Sequence, residues 1–333
     1  MASLVTGASG FLGGRLAQML RERGEEAVIL ARATSDLRHL PSSIRVVRGD
    51  LLDRGSVQEA VQGVTNIYHC AACSTDWAPR QTYYGANVLG TQNLIDAAQR
   101  LPGLRRLLHV STTDVYGYPE TPCAEDHSLV DAGLPYNQTK GKGEAIVWRA
   151  YREHGLPITI LRPATIYGPR GKDFTLEIAS LLRQRLMTYI DGGASPGGFT
   201  YVDNVAQAML DAAESADTIG EAYNIADGTG ATWKRYLTLF AEQLGTKPPW
   251  INLSFRTALV IARTMEAPHR YLGLRGRPLL TQHAVRLLGR NQEFPIAKAR
   301  SSFGFAPAIS LEEGVRRSVA WLRDAEALKR TRA

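Results

Sequence analysis

Short apolar runs and amphipathic stretches alternate through the first 170 residues. The runs near residues 2–5, 26–30, 44–47, 66–70, 106–111 and 158–162 are largely apolar and bounded by glycine or polar residues. Apolarity without clean alternation over so short a span predicts strands buried on both faces. Between them lie stretches with apolar residues at helical spacing, such as Leu12, Leu16, Met19 and Leu20. Strands that alternate with helices predict an α/β fold, a doubly wound parallel sheet of the Rossmann kind. Beyond Arg162-Pro163 the pattern changes. Apolar spacing there predicts helices near 173–187, 202–214, 232–244 and 311–325. The chain therefore divides into a sheet domain over 1–170 and a smaller mixed α/β part over 171–330. The second is interleaved with the sheet edge and closes over the carboxyl ends of the strands.

The turn after the first strand carries Gly7, Gly10 and Gly13, with Ser9, Phe11 and Leu12 between them. The spacing is G-x-x-G-x-x-G rather than the commoner G-x-G-x-x-G. Glycines there permit a tight turn, a close approach of the backbone to a pyrophosphate, and packing of the helix on the strand. The helix N-terminus offers free N–H groups and partial positive charge to the phosphates. A dinucleotide site is thus expected. The second strand ends in Ala31-Arg32, with no acid to accept from a ribose 2′-hydroxyl. An arginine there suits a 2′-phosphate, which favours NADP, with NAD possible. Asp50-Leu51 follows the third strand; Asp50 either accepts from the adenine amine or caps the next helix.

Tyr136 and Lys140 are four residues apart, so they share one helix face. A phenol of pKa ~10 is a poor base at neutral pH, and a nearby ammonium favours its phenolate. Such a tyrosine passes a proton to or from a substrate oxygen. The strand near 106–111 runs into Ser111, Thr112, Thr113 and Asp114. Hydroxyls at the carboxyl edge of a central strand sit where ligands bind in such sheets.

Taken with Gly49-Asp50-Leu51, Tyr68-His69-Cys70-Ala71-Ala72, Asn87-Val88-Leu89-Gly90-Thr91, Val115-Tyr116-Gly117 and Leu161–Pro169, these stretches resemble the extended short-chain dehydrogenase/reductases. That superfamily includes nucleotide-sugar epimerases and dehydratases, dihydroflavonol reductases and 3β-hydroxysteroid dehydrogenases. Tyr201-Val202-Asp203 and Tyr223-Asn224-Ile225 extend the likeness. The resemblance implies that Thr112 orients the substrate oxygen, Tyr136 is the acid/base and Lys140 also holds the nicotinamide ribose. It further implies that Ala71, Ala72 and Pro163 pass close to the dinucleotide. Members often form homodimers through the helices that here cover about 86–101 and 137–154. Leu94/Ile95 and Ile146/Val147 are candidate dimer surfaces, although packing on the sheet satisfies the same pattern.

Two departures point to a branch. Nucleotide-sugar enzymes of the group carry an arginine just before the element that here reads Thr200-Tyr201-Val202-Asp203; this chain has Gly197-Gly198-Phe199 instead. Arg162, Arg170 and Lys172 are the alternative phosphate ligands. Sugar dehydratases carry an acid pair after the catalytic hydroxyl, and Thr113-Asp114 keeps only the second acid. Trp77, Phe174 and Phe199 are candidates for an apolar substrate pocket, with Thr113 and Tyr201 beside it. The reading is an NADP-dependent oxidoreductase that interconverts a ketone and a secondary alcohol on a largely apolar small molecule, such as a 3β-hydroxysteroid or a β-keto compound. The alternative is a redox-neutral nucleotide-sugar epimerase or dehydratase. A nonenzymatic dinucleotide sensor is a third reading, disfavoured because Tyr136 and Lys140 are both present.

Composition adds limits. No apolar run approaches the ~18 residues of a transmembrane helix, and no secretory signal precedes the first strand. Cysteines at 70, 73 and 123 fit a reducing compartment, so a cytoplasmic enzyme is expected. Cys70-Ala71-Ala72-Cys73 is formally C-x-x-C, but it ends a strand rather than opening a helix, and no metal set accompanies it. Net charge is +7, and residues 251–300 hold nine Lys/Arg against Glu266 and Glu293. Leu253–Met265 is apolar and basic, which reads either as a lid helix or as a peripheral membrane contact. No nucleic-acid motif is present.

Overall fold

Seven strands form one parallel sheet in the order β10-β6-β5-β4-β1-β2-β3. They are β1 (Ala2–Thr6), β2 (Glu26–Ala31), β3 (Arg45–Arg48), β4 (Val64–His69), β5 (Arg106–Val110), β6 (Ile158–Pro163) and, much later, β10 (Glu221–Ile225). The structure is a computed structural model, and it describes residues 2–274 and 276–330. Alternate residues of each strand face opposite layers. Leu4, Val28, Ile67, Leu107 and Ile160 pack into one apolar layer, and Val5, Ile29, Tyr68, Leu108 and Leu161 into the other. That two-sided burial is why the strands read as apolar runs rather than as alternating ones.

The first layer is covered by α2 (Arg54–Ala60), α4 (Gly90–Ala98) and α5 (Pro135–His154), and α3 (Arg80–Tyr84) lies between β4 and α4. Leu94, Ile95 and Val147 are fully buried against the sheet, and Ile146 packs beside them. The candidate dimer residues are therefore engaged within the chain. Each fully buried leucine contributes roughly 1.5–3 kcal/mol. The second layer is covered by α1 (Phe11–Glu22) and α7 (Val202–Glu214), which contribute Leu16, Leu20, Val205 and Met209.

The chain does not leave the sheet at residue 170. After β7 (Thr165–Tyr167), α6 (Ile178–Arg183), β8 (Thr188–Ile190) and β9 (Phe199–Tyr201), it returns through α7 to β10, which pairs with β6 at Leu161 and Tyr223. The sheet body thus includes residues 202–225, and the interleaving is deep. The helix expected at 173–187 is instead a π-helical turn, Lys172–Glu177, followed by α6. Arg185, in the left-handed region at φ 62°, stops it and turns the chain into β8. The rest comprises α8 (Trp233–Leu244), β11 (Ile251–Leu253), α9 (Phe255–Tyr271), α10 (Gln282–Gly289), α11 (Ala297–Phe303) and α12 (Leu311–Arg330). β7 pairs with β9 and β8 with β11. Among the described residues no helix is long and apolar enough to cross a membrane.

Candidate active site

The strand order reverses at β1, which has β2 on one side and β4 on the other. A ligand crevice is expected beyond the carboxyl ends at such a switch point. A cavity of about 1070 Å³ opens there. Gly7, Ser9, Gly10, Phe11, Leu12, Gly13, Arg32, Asp50, Leu51, Ala71, Ala72 and Pro163 all line it, together with Thr112, Tyr136 and Lys140. Residues chosen from seven separate stretches of sequence thus meet on one surface.

The glycine turn is as close as its composition demands. Gly7 has φ +75°, and a Cβ on it would lie 2.7 Å from the Ala71 nitrogen. A Cβ on Gly13 would lie 2.7 Å from the Gly7 carbonyl oxygen. No side chain caps the start of α1, so its first N–H groups are free for an anion. These features fit a dinucleotide, with its pyrophosphate at the head of α1. Arg32 and Ser35 lie at the far end of the cavity, and neither 31 nor 32 is acidic. Asp50 accepts from the Leu52 N–H at 2.9 Å, and Asp53, not Asp50, caps α2 through Gly55 and Ser56.

Three adjacent hydroxyls follow β5, and the structure separates them. Ser111 donates to Glu144 Oε2 at 2.6 Å. Thr113 is buried inside a 3₁₀ turn and does not line the cavity, which corrects its assignment to the substrate pocket. Thr112 faces the cavity, accepts from the Asp114 N–H at 3.2 Å and lies beside the Tyr136 phenol, where its hydroxyl favours the phenolate. Pro135 opens α5 and presents Tyr136 in the first turn, with Lys140 one turn further. Lys140 donates from Nζ to the Val110 carbonyl at 2.6 Å. Burial pushes its pKa down to about 8, against the opposing charge of Glu144.

The Tyr136 phenol stands above its ordinary range. Burial and the Asp114 carboxylate raise it, and the Thr112 hydroxyl offsets only part. The lowering expected from Lys140 alone is not the dominant influence. A residue outside every recognised motif adjoins instead. His283 of α10 stacks on Tyr136 with ring centroids 5.6 Å apart and planes 20° apart. Its Nε2 donates to Asp114 Oδ2 at 3.0 Å, and Tyr118 donates to the same oxygen at 2.9 Å. A lone histidine in an amphipathic stretch gave no sequence signal beyond its helical position.

Beneath the site lies a buried polar network. Arg162 bonds Glu144 through Nη2 at 2.5 Å and Nε at 3.2 Å, and it also donates to the Tyr116 hydroxyl at 2.7 Å. Tyr116 donates to Asn224 Oδ1 at 2.8 Å. Arg162 is thereby removed from the list of phosphate ligands. Arg170 reaches Ser9 O at 3.3 Å, and Lys172 lines the cavity. Cys70 and Cys73 are free thiols; burial pushes Cys70 up to about 12 and raises Cys73 as well.

The second limb of the cavity is apolar. Phe174, Leu181, Met187 and Ile190 face Ala258, Ile261 and Met265 of α9, with Leu280, Leu287 and Leu288 on or beside α10. Phe174 is where the sequence reading put it, and three other aromatics are not. Phe199 stacks on Tyr236 at 4.3 Å and meets Trp233 at 4.8 Å; Tyr201 packs on Tyr167 at 5.6 Å; both are buried away from the cavity. Trp77 lies outside it, edge-on to His269 and under Arg270. In α9, Ala258, Ile261 and Met265 share the cavity face, so the lid arrangement holds there.

Part of the basic stretch is bound to acids. Arg277 takes Asp76 through Nε at 2.6 Å and Nη2 at 2.7 Å, and it also pairs with Glu177. Arg290 pairs with Glu120 at 2.7 Å and Lys298 with Glu221 at 2.6 Å. Among the described residues, no group of three His, Cys, Asp or Glu is placed to hold a metal ion.

Comparison with known proteins agrees with this architecture. The NAD dependent epimerase/dehydratase family matches residues 3–226. A 2-alkyl-3-oxoalkanoate reductase of Stenotrophomonas maltophilia (strain K279a) is 33% identical, over 95% of this chain and 98% of its own. Isoform 1 of an Arabidopsis thaliana 3beta-hydroxysteroid-dehydrogenase/decarboxylase is 29% identical, over 95% and 78%. The solved UDP-glucuronic acid 4-epimerase of Bacillus cereus, in complex with NAD, shares the fold at a TM-score of 0.76 and 24% identity, over 98% and 99%. The chain belongs to the NAD dependent epimerase/dehydratase family, among the extended short-chain dehydrogenase/reductases that use NAD(P) to act on CH–OH and C=O groups.

Proposed function

We propose that this enzyme interconverts a ketone and a secondary alcohol on a largely apolar substrate, a β-keto compound or a 3β-hydroxysteroid-like alcohol, with NADP as cofactor. The observation that carries the reading is the shape of the cavity: a polar corner at Thr112, Tyr136 and Lys140 opens directly into an apolar limb between α6, α9 and α10. Such a limb takes hydrocarbon and does not suit a nucleotide diphosphate. Gly197-Gly198-Phe199 stands where nucleotide-sugar enzymes of the group carry an arginine, and Arg162 is held by Glu144. The names of the two relatives, a 3-oxoalkanoate reductase and a 3beta-hydroxysteroid enzyme, support the same substrate classes.

The bound nicotinamide supplies or accepts the hydride. Thr112 orients the substrate oxygen by hydrogen bonding, and Tyr136 donates the proton that converts the developing alkoxide to the alcohol. The Lys140 ammonium, fixed to the Val110 carbonyl, supplies positive charge beside that proton transfer and would hold the nicotinamide ribose. Arg32, with Ser35 beside it, pairs with the 2′-phosphate.

Nicotinamide absorbance with NADPH or NADH and a panel of ketones, 3-oxoacyl compounds and 3-ketosteroids, beside nucleotide sugars, tests the reading. Net oxidation of NADPH by a ketone is expected. Tyr136→Phe should lower turnover by about 10²- to 10⁴-fold while NADPH binding persists. Conversion of a nucleotide sugar with no net cofactor change, and no ketone reduced, would move the enzyme to the epimerase branch.

A further inference from the structure

Asp114 places a carboxylate next to the proposed acid. Left alone, it opposes the phenolate that forms when Tyr136 gives up its proton. Its field is met by His283, which reaches the site from α10, far along the chain. The imidazole is packed flat on the Tyr136 ring and bonded through Nε2 to Asp114 Oδ2. Asp114 in turn offers its backbone N–H to Thr112, so the pair touches the surroundings of both polar groups at the reacting corner.

We infer that His283, as the imidazolium partner of Asp114, is a positioning residue that cancels the Asp114 charge at the Tyr136 phenol and fixes the plane of its ring. This inference rests on Tyr136 being the proton donor. His283 acts beside Lys140 rather than in place of it: the ammonium stands at the Val110 carbonyl, and the imidazole lies against the Tyr136 ring and lines the cavity.

The charged and titratable groups around His283 are consistent with a cation. Asp114 and Tyr118 face it from the turn after β5, Tyr136 from α5, Asp76 from the loop after β4, and Asp173 from the π-helical turn. Burial works against the imidazolium, and the hydrogen bond and charge of Asp114 outweigh it, so the pKa is raised. Arg277, on the segment before α10, is engaged by Asp76 and Glu177, and Arg286 of α10 acts on Tyr118.

The test is a charge-rescue cycle on the full chain. His283→Gln should lower kcat for ketone reduction by about tenfold, the equivalent of one pKa unit at the phenol, with KM for NADPH within about twofold of wild type. Adding Asp114→Asn should restore most of the loss, because no charge then remains to cancel. A merely structural role predicts the reverse, a double variant worse than either single one. A second readout needs no turnover: in protein labelled with ¹³C at tyrosine Cζ, the Tyr136 resonance, assigned by Tyr136→Phe, should shift as His283 titrates and lose that inflection in His283→Gln. An unchanged kcat, a double variant without rescue, or a Tyr136 resonance blind to His283 overturns the inference. Should the wild type reduce no ketone, the proposed function fails, and the resonance titration alone decides the role of His283.

Discussion

The two walls of the cavity are held in place by different physics. One wall consists of the strand ends and the turns that leave them. Its positions are set by a seven-stranded ladder, by glycines with no room for a Cβ, and by the buried Arg162–Glu144 network. The other wall, α9 and α10, rests on a small apolar cluster of Ile190, Ala258, Ala262 and Val285. Side-chain ion pairs fasten it to the body, chiefly Arg277 with Asp76 and Glu177, and His283 with Asp114. Backbone hydrogen bonds and steric exclusion tolerate little displacement, whereas ion pairs reform after opening. The arrangement puts Thr112, Tyr136 and Lys140 on the more rigidly held wall, and most of the apolar lining on the wall fastened largely by side chains.

The largest expected effect comes from breaking the first wall at its buried pair. Glu144→Ala leaves the Arg162 guanidinium without its carboxylate in a site almost closed to water, and it also removes the acceptor of Ser111. Losing one partner of a buried pair costs about 3–5 kcal/mol. Chemical denaturation should show that loss with cofactor absent. A change under about 1 kcal/mol would mean water reaches Arg162, and the contrast between the walls would weaken.

Cutting the main tie of the second wall should cost much less. Arg277→Ala removes a bidentate contact to Asp76 and the pair to Glu177, all partly exposed, so global stability should fall by only about 1 kcal/mol. The effect should concentrate in the cap. Hydrogen exchange in α9 and α10 should quicken while β1, β4 and β5 keep their protection, and KM for an apolar ketone should rise more than kcat falls. Added salt should reproduce part of this in the wild type, since partly exposed pairs are screened. Uniform loss of protection across both walls would show that the cap is part of one cooperative core.

The same division separates what the sequence reveals from what it conceals. The first wall is legible because its constraints are local. Strands buried on both faces appear as short apolar runs, the turn appears as three glycines, and Tyr136 and Lys140 share a helix face by spacing alone. Thr112 could be picked from its two neighbours only by alignment; in the structure Ser111 is bonded to Glu144 and Thr113 is turned inward, which supports the choice. The second wall depends on contacts between distant residues. Nothing local distinguishes His283 from the other histidines, or Asp76 from a solvated loop acid. Aromatics mislead for the same reason: Phe199 and Tyr201 have the composition of a pocket wall, but Trp233, Tyr236 and Tyr167 enclose them. The π-helical turn at Lys172–Glu177 puts Lys172, Asp173 and Phe174 on the cavity in a way that ordinary helical periodicity does not anticipate.

The smallest effect, and the one that ties the two walls together, is the response of the cap to pH. His283 has a raised pKa in the folded chain, because its bond to Asp114 outweighs the cost of burial. A raised basic group stabilises the state in which it is raised wherever it is protonated there. Its contribution is therefore complete below the unfolded value of ~6.5 and declines as pH rises through the folded value. Asp76 works in the opposite direction: burial opposes its ionisation, Arg277 overcomes this, and the pKa is lowered. Its contribution is present above the ordinary carboxylate range and fails only in strong acid, so it stays constant while His283 titrates. As pH rises above the ordinary imidazole value of ~6.5, exchange protection of α10 should fall gradually in the wild type, after correction for the intrinsic rate, while that of β5 stays level. Asp114→Asn should weaken the dependence, because His283 then loses its hydrogen-bonded carboxylate and keeps only the lesser fields of Asp76 and Asp173. A cap whose protection ignores pH, or falls equally in Asp114→Asn, would leave Arg277 as its principal ionic tie and make the Asp114–His283 contact a consequence of closure rather than a cause.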